Sequence, residues 1–320
     1  MTESHLACGV PRACVLAPSP LLTIALEATD GPGDTDVHLH PGGQGFWVAR
    51  LMAELGVDVT LCTTLGGETG GVVHSLLQRE RMSLRWINTT AGNGAYVDDR
   101  RSGQRERVGT MIPAALSRHE VDDLYGLVFV EAMDAALCVL GGPGPEPLVP
   151  ADMYRRLAAD LSANGRTVIA DLSGDPLVAA VAGGAAVIKV SHEELLRDGR
   201  ARDPSVPALV AAMSELAGDD QRAVVCSRAE DAALACFDGR TVEVRGPQLE
   251  ALDGAGAGDS FTAGMAAALA QGQPFETAMR LGAAAGGLNV TRRGLGTGAR
   301  EQIERLAAHV HITDIDPSEG

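Results

Sequence analysis

Ala251-Leu252-Asp253-Gly254-Ala255-Gly256-Ala257-Gly258-Asp259-Ser260-Phe261-Thr262-Ala263-Gly264-Met265 sets three glycines at alternate positions and then enters a strong helix former, Met265 to Ala270. Glycines at that spacing let the backbone turn tightly and aim consecutive N–H groups outward. The positive end of the following helix adds to them, and together they suit an anion such as phosphate. Asp259 stands in the first turn of that helix. A carboxylate there complements the helix dipole but repels a phosphate lying in the glycine nest. The conflict is resolved if Asp259 removes a proton from a hydroxyl that attacks the phosphate. Taken alone, a GxGxG of this kind is equally an ordinary glycine-rich turn with an acidic helix start.

Two other phosphate motifs are tested and fail. A dinucleotide fingerprint opens the first βαβ unit and carries its acid about 20 positions later, whereas this stretch lies near the C-terminal end with its acid directly after the last glycine. A P-loop needs GxxxxGK[ST]. The sole lysine, Lys189 in Val187-Ile188-Lys189-Val190, has no such loop before it.

Composition narrows the class. The 320 residues, 45% hydrophobic and 21% charged, allow one large α/β domain, or one domain with a small addition. A net charge of −16 argues against nucleic-acid or anionic-membrane binding. No apolar run approaches the length of a transmembrane helix, and Met1 to Arg12 lacks the pattern of a signal peptide, so a cytoplasmic location is expected. Cys14, Cys62, Cys138, Cys226 and Cys236 lie in or beside apolar runs without a CxxC, which reads as small buried hydrophobes rather than a disulfide framework or a zinc site. His38 and His40 share a strand face but have no third ligand nearby.

Along the chain, strands alternate with helices. Strands are predicted over Arg12 to Ala17, Asp36 to Leu39, Val57 to Thr63, Ala136 to Leu140, Thr167 to Asp171 and Ala185 to Val190, and later over Ala223 to Cys226, Ala232 to Phe237 and Thr241 to Arg245. Helices are predicted over Phe46 to Leu55, Val72 to Arg81, Ala151 to Ala163, Pro176 to Ala182, His192 to Arg197 and Val206 to Ala217, then Ser260 to Gln271, Phe275 to Leu288 and Arg300 to Val310. Glycine turns at residues 40–45, 65–71 and 141–144 join strand to helix, where α/β proteins bind ligands. The alternation implies a parallel sheet covered on both faces. Residues 84–112 break it: Leu84 to Asn88, Gly94 to Asp98 and Arg105 to Met111 read as a small antiparallel sheet, with Asp98 to Gly103 as its hairpin tip. A second hairpin is predicted across Asp238-Gly239, and residues 316–320 form a frayed tail.

Several stretches then line up, in order and over nearly the whole chain, with one family. The sequence resembles the ribokinase-like (PfkB-type) carbohydrate kinases, most closely the branch with 1-phosphofructokinase and tagatose-6-phosphate kinase. Gly42-Gly43-Gln44-Gly45-Phe46-Trp47-Val48-Ala49-Arg50 resembles its GGKGxNVAR segment, and Leu65 to Gly70 its LGGxxG turn. Ile188 to Leu195 resembles LKPNxEEL. Asp253 to Asp259 resembles the more specific DTxGAGD, matching at Asp253, Gly256, Ala257, Gly258 and Asp259. The resemblance implies a single ribokinase-like domain over 1–320, a doubly wound α/β core with a small β lid from about 18–40 and 84–112, often shared in a homodimer. It implies ATP-dependent, Mg²⁺-assisted phosphorylation of a hydroxyl of a sugar, sugar phosphate or related small alcohol. Asp259 is then the base, and Gly256, Ala257 and Gly258 form the anion hole. Asp253 lies beside the phosphates and Lys189 faces them, with Ser227, Gly254 and Asn289 on the nucleotide side. Glu194 orders Mg²⁺ through water. Gly42, Gly43, Gln44, Trp47 and Thr23 line the acceptor site.

The departures from the family pattern change the substrate contacts more than the catalytic nest. Gln44 replaces the family's lysine, Trp47 its asparagine, and Thr23 an early aspartate. Ser191 replaces the asparagine of NxxE, and Ala229 and Ala232 replace both glycines of SxGxxG. A less polar or differently shaped acceptor is expected. An arginine reaching the cleft from the hairpin (Arg100, Arg101 or Arg105, with Arg101 taken as the candidate) keeps a phosphorylated acceptor open, because arginine holds phosphate bidentately. The alternative reading is a weak or inactive kinase-fold protein that binds nucleotide or metabolite for regulation. A Cβ at Ala229 or Ala232 costs affinity if its φ is positive.

Overall fold

The computed structural model describes residues 9–29, 31, 34–142, 148–219, 222–292 and 296–315. The chain opens with β1 (Arg12–Ala17), β2 (Leu21–Ala28) and β3 (Thr35–Gly42), then α1 (Gln44–Glu54), β4 (Asp58–Gly66), α2 (Gly67–Leu77), β5 (Ser83–Thr89), β6 (Ala95–Asp99) and β7 (Glu106–Met111). Next come α3 (Arg118–Met133), β8 (Leu137–Gly141), α4 (Ala151–Ala163), β9 (Thr167–Asp171), α5 (Gly174–Ala182), β10 (Val187–Ser191), α6 (His192–Arg197), α7 (Val206–Ala217) and β11 (Ala223–Arg228). It closes with β12 (Asp231–Phe237), β13 (Arg240–Arg245), α8 (Ala257–Ala270), α9 (Phe275–Val290), α10 (Arg300–Ala307) and β14 (His311–Asp314).

Ten strands form the main sheet, in the order β14-β13-β12-β11-β10-β9-β8-β1-β4-β5. From β5 through β11 all neighbours are parallel, and β12, β13 and β14 finish the sheet antiparallel. Strands buried on both faces must be apolar throughout, and β1 shows why. Ala13, Val15 and Ala17 enter a core shared with Phe46 of α1 and Met265 of α8. Cys14 and Leu16 enter the opposite core with Leu124 of α3 and Leu157 of α4. The sheet is covered on both faces, as the alternation predicts, and doubly wound, as the resemblance implies. The five cysteines singled out from the sequence are buried and unbridged. Among the described residues, no helix is long and apolar enough to cross a membrane.

A separate four-stranded sheet, in the order β3-β2-β6-β7, forms the lid. It is mixed rather than purely antiparallel, because β2 and β6 run parallel. One sequence expectation is corrected here: Leu84 to Asn88 belongs to β5, the edge of the main sheet, pairing parallel with β4. An edge strand covered on one face alternates like a lid strand, so the pattern alone could not separate the two. Helix α3 went unpredicted because its charged start masks the apolar stripe of Val121, Leu124, Val128 and Ala132. Its signal was the capping box between Ser117 and Glu120. Strand β14 was also unpredicted. The Asp238-Gly239 hairpin has φ of 50° and 72°, the left-handed pair that a two-residue turn requires. Residues 143–144 of the third glycine turn and the tail 316–320 lie outside the described residues.

Candidate active site

Helix α8 begins at Ala257, three residues earlier than the sequence pattern indicates, so Asp259 occupies the third helical position. Residues 260–268 are buried on all sides. A Cβ on Gly264 would lie 2.6 Å from the Leu281 carbonyl, so α8 and α9 pack backbone against backbone and hold the helix start in place. Gly256 caps α8 in the left-handed region, with φ 73° and ψ 5°, a conformation that a Cβ disfavours. No side chain caps this helix, and the N–H groups of Gly258 and Asp259 find no acceptor among the described residues. Such orphan donors at a helix start seat an anion. Asp253 closes the turn before them, its carboxylate accepting the Ala255 N–H at 3.0 Å.

Behind the nest lies a buried charge cluster drawn from three neighbouring elements. Lys189 of β10 places Nζ 3.3 Å from Asp171 Oδ1 at the end of β9. The Thr262 hydroxyl donates to the other Asp171 oxygen at 2.7 Å. Gly258 has no room for a side chain, since a Cβ would sit 2.8 Å from Lys189 Nζ. Burial alone would lower the Lys189 pKa, but Asp171, Asp259 and Glu194 outweigh it and hold the ammonium charged. Asp259 is pushed up from 3.8 to about 7, first by burial and then by repulsion from Asp171, with Glu194 adding to it and Lys189 opposing. Its carboxyl is therefore close to half-ionised at neutral pH, the poise of a general base.

Glu194 caps α6 with one oxygen, Oε2, which accepts the Ser191 N–H at 2.8 Å and the Ser191 hydroxyl at 3.0 Å. Its other oxygen is not held by the cap. Among the described residues no three His, Cys, Asp or Glu side chains converge on a metal position. A Mg²⁺ ion fits such a site only through waters and substrate phosphates, its usual mode.

The lid approaches the nest through Arg105, just before β7. Arg105 lies 2.8 Å from Asp98 Oδ2 and 4.0 Å from Asp253 Oδ2. Arg107 takes the other oxygen of the inaccessible Asp98 at 2.9 Å and stacks 3.7 Å from the Tyr96 ring centre. Residues 25–302 match the profile of the pfkB family carbohydrate kinase. The chain belongs to the PfkB family. It is 26% identical over 276 residues to the 1-phosphofructokinase of Bacillus subtilis, covering 86% of this chain and 88% of that protein. It is 29% identical over 275 residues to the ATP-dependent 6-phosphofructokinase isozyme 2 of Escherichia coli, covering 84% and 88%. The crystal structure of the phosphofructokinase-2 from Escherichia coli in complex with fructose-6-phosphate superposes with a TM-score of 0.80, at 26% identity, over 93% of this chain and 99% of that one.

Within this PfkB fold the remaining candidates divide. The Gln44 amide donates to the Asp171 carbonyl at 3.3 Å and its oxygen accepts the Gly142 N–H at 3.1 Å, bolting the start of α1 to the ends of β8 and β9. Thr23, Gly42 and Trp47 are neighbours: a Cβ on Gly42 would meet Thr23 Oγ at 2.7 Å and the Trp47 ring at 3.6 Å. Gly43 takes φ 104° ahead of α1. The Ser227 carbonyl lies 3.4 Å from His192 Nδ1, beside the α6 cap. Gly254, ahead of the nest, has open space where a Cβ would point.

Two candidates are corrected. Arg101 folds back on Asp99 at 2.6 Å on the exposed hairpin tip, so Arg105 and not Arg101 reaches the nest. Asn289 is inaccessible and both ends of its amide are engaged, donating to the Ala255 carbonyl at 2.8 Å and accepting the Gly296 N–H at 3.2 Å. It braces the nest from behind rather than facing adenosine. Of the two lost glycines, Ala229 has φ 47° and carries the strain, whereas Ala232 sits in β12 without a positive φ. Asp171 and Thr262 were missed. The available signal was an acid ending a predicted parallel strand, at the sheet edge where such folds bind ligands.

Proposed function

We propose that this chain is an ATP-dependent kinase that phosphorylates a hydroxyl of a sugar-type acceptor, with Asp259 as general base. The observation carrying this reading is a carboxyl poised at about 7, set directly beside the N–H groups that open α8 and find no acceptor among the described residues. Asp259 takes the proton of the acceptor hydroxyl. That oxygen bonds to the terminal phosphorus of ATP as the bond to the bridging oxygen breaks, and ADP leaves with the displaced electron pair. The turn Gly256-Ala257-Gly258 is the anion hole for the moving phosphoryl group: the Gly258 N–H is open to it, and the Ala257 N–H makes only a long 3.4 Å bond to the Gly254 carbonyl. Lys189 places an ammonium beneath Gly258, paired with Asp171. Glu194 would meet Mg²⁺ through water; that ion supplies charge neutralisation on the nucleotide phosphates.

The acceptor side supports a phosphorylated sugar. Arg105 and Arg107 share a single lid carboxylate, Asp98, and Arg105 turns its remaining donors toward Asp253 at 4.0 Å, which puts a guanidinium beside the nest. The matched relatives are named phosphofructokinases. A homodimer through the lid is part of the same reading, since Val37, Leu39, Val108 and Ile112 are exposed there, as is a cytoplasmic setting where ATP is available. The test is coupled ADP release with ATP and Mg²⁺ over free sugars, sugar phosphates, nucleosides and polyols, with Asp259→Asn as control. Asp259-dependent release with one acceptor class is expected. Silence across the panel with ATP binding intact overturns the reading in favour of a non-catalytic kinase-fold protein, the alternative that the strained Ala229 supports.

A further inference from the structure

A cavity of about 410 Å³ lies between Arg50 and Glu54 of α1, residues 79–81 after α2, and residues 296–299 leading into α10, and neither Asp259 nor the nest lines it. Its size falls in the range of small-molecule sites. Its charge runs against that of the protein, since three arginines face two glutamates in a chain of net charge −16. Glu80 lies 3.7 Å from Arg50. The guanidinium groups of Arg79 and Arg81 have no ion pair among the described residues. The negative end of α2 accounts for a cation just past the helix, but not for two beside a cavity. No side chain caps α10 at Ala299, so its first N–H groups add positive potential on the same side.

The cavity floor is tied to the catalytic nest. Arg50 Nε donates to the Gly296 carbonyl at 3.2 Å. The Gly296 N–H donates to Asn289 Oδ1 at 3.2 Å, and Asn289 Nδ2 donates to the Ala255 carbonyl at 2.8 Å. Asn289 is wholly inaccessible, so this chain is shielded from competing water. We propose that the arginine-lined cavity is a second site, separate from the catalytic cleft, for a phosphate-bearing metabolite of sugar-phosphate size, and that its occupancy is transmitted to the nest through Gly296 and Asn289. A ligand drawing on Arg50 shifts its hold on Gly296, and Gly296 sets the position of the amide that fixes Ala255. Coupling of this kind is reciprocal: whatever the ligand does to ATP affinity, ATP does to the ligand.

The binding arm is independent of turnover, whereas the coupling arm rests on the kinase reading. Calorimetric titration of the full chain, with the catalytic cleft filled by a non-hydrolysable ATP analogue, uses inorganic phosphate and fructose 1,6-bisphosphate as probes. The bisphosphate is expected to bind more tightly than phosphate, and an Arg79→Ala/Arg81→Ala variant to weaken it at least tenfold while basal kcat and KM stay unchanged. In the wild type the probe shifts the KM for ATP at least twofold; in the double variant it does not. Equal affinity for the two probes indicates an unselective anion patch and overturns the proposal. Undiminished binding by the double variant, or a bound probe without kinetic effect, overturns it as well.

Discussion

Asp259 offers a quantitative test because two independent measurements must report one ionisation. With its pKa at about 7, about one tenth of the molecules carry ionised Asp259 at pH 6 and about nine tenths at pH 8. The expected kcat/KM therefore rises about tenfold between those pH values, where a carboxyl at its ordinary value gives a flat profile. The perturbation is Asp171→Asn. It removes the neighbouring charge that repels the Asp259 carboxylate and frees Lys189 from its partner at 3.3 Å. Both changes favour ionised Asp259, so the acid limb moves down by on the order of one unit. At pH 6 the ionised fraction then rises about fivefold relative to wild type. Ionisations of ATP or of a phosphorylated acceptor stay where they are in both proteins. A limb that does not move, or moves up, refutes the assignment.

The same carboxyl has a stability signature of fixed sign. Its folded-state pKa of about 7 lies above the unfolded value of 3.8, so between those pH values the native state keeps a proton that the unfolded chain has released. The group's stabilising contribution is complete below the unfolded pKa and is lost as pH rises through the folded one. The full loss is about 4 kcal/mol at ~1.36 kcal/mol per unit, a ceiling because water reaches the carboxylate from the open side of the nest. Asp259→Asn abolishes the ionisation. Denaturant titrations at pH 5 and pH 8 should show the variant gaining about 2–3 kcal/mol on the wild type over that interval. A gap that stays constant with pH contradicts the raised pKa.

Other substitutions probe the surrounding elements. Arg105→Ala should raise the KM for a phosphorylated acceptor about 10- to 150-fold, the worth of about 1.5–3 kcal/mol for hydrogen bonds to a charged group, while Arg101→Ala leaves steady-state kinetics unchanged. Gly256→Ala forces a Cβ into the φ 73° position and should cost about 1–2 kcal/mol of stability by thermal denaturation, with a larger loss of kcat. Ala229→Gly relieves φ 47°; the gain from removing the strain, less the entropy of a freer unfolded chain, should leave about 0.5–1 kcal/mol of added stability and a lower KM for ATP.

What could be read from the sequence divides by how local the determinant is. The nest is specified within seven consecutive residues, and its position at a helix start follows from what comes after it. The apolar runs of the parallel strands likewise announce a sheet covered on both faces. The role of Asp171 was missed for the opposite reason: it meets Lys189 only because β9 and β10 are sheet neighbours, in register from Val187 opposite Ile169 to Lys189 opposite Asp171. The choice between Arg101 and Arg105 turns on a detail smaller still. The β6–β7 ladder shifts register between Val97 and Asp98, so Arg107 opposes Asp98 and Glu106 opposes Asp99. That irregularity sets Arg105 on the side of Asp253, and no periodicity in the hairpin sequence encodes it. Asn289 was misread because a buried amide that braces a backbone and an exposed one that meets a ligand look alike in one dimension.

The sole lysine of the chain stands where arginine, used everywhere else for positive charge, does not fit. Lys189 is 5% exposed and ends under Gly258, where even a single added carbon on the glycine would come within 2.8 Å. An ammonium is a compact point charge on a slender stem, whereas a guanidinium is a broad planar fork that needs several acceptors in its plane. Asp171 offers one oxygen to the lysine because Thr262 occupies the other, so a fork placed here would leave donors unpaired in a buried site. The charge balance also depends on that compactness. Burial raises the Asp259 pKa first, and one cation beside Asp171, Asp259 and Glu194 leaves the cluster negative, which adds to the rise that ends at about 7. The feature that makes the carboxyl an effective base near neutrality is thus tied first to its burial and then to the shortage of positive charge behind it, where the glycine lets in a single lysine.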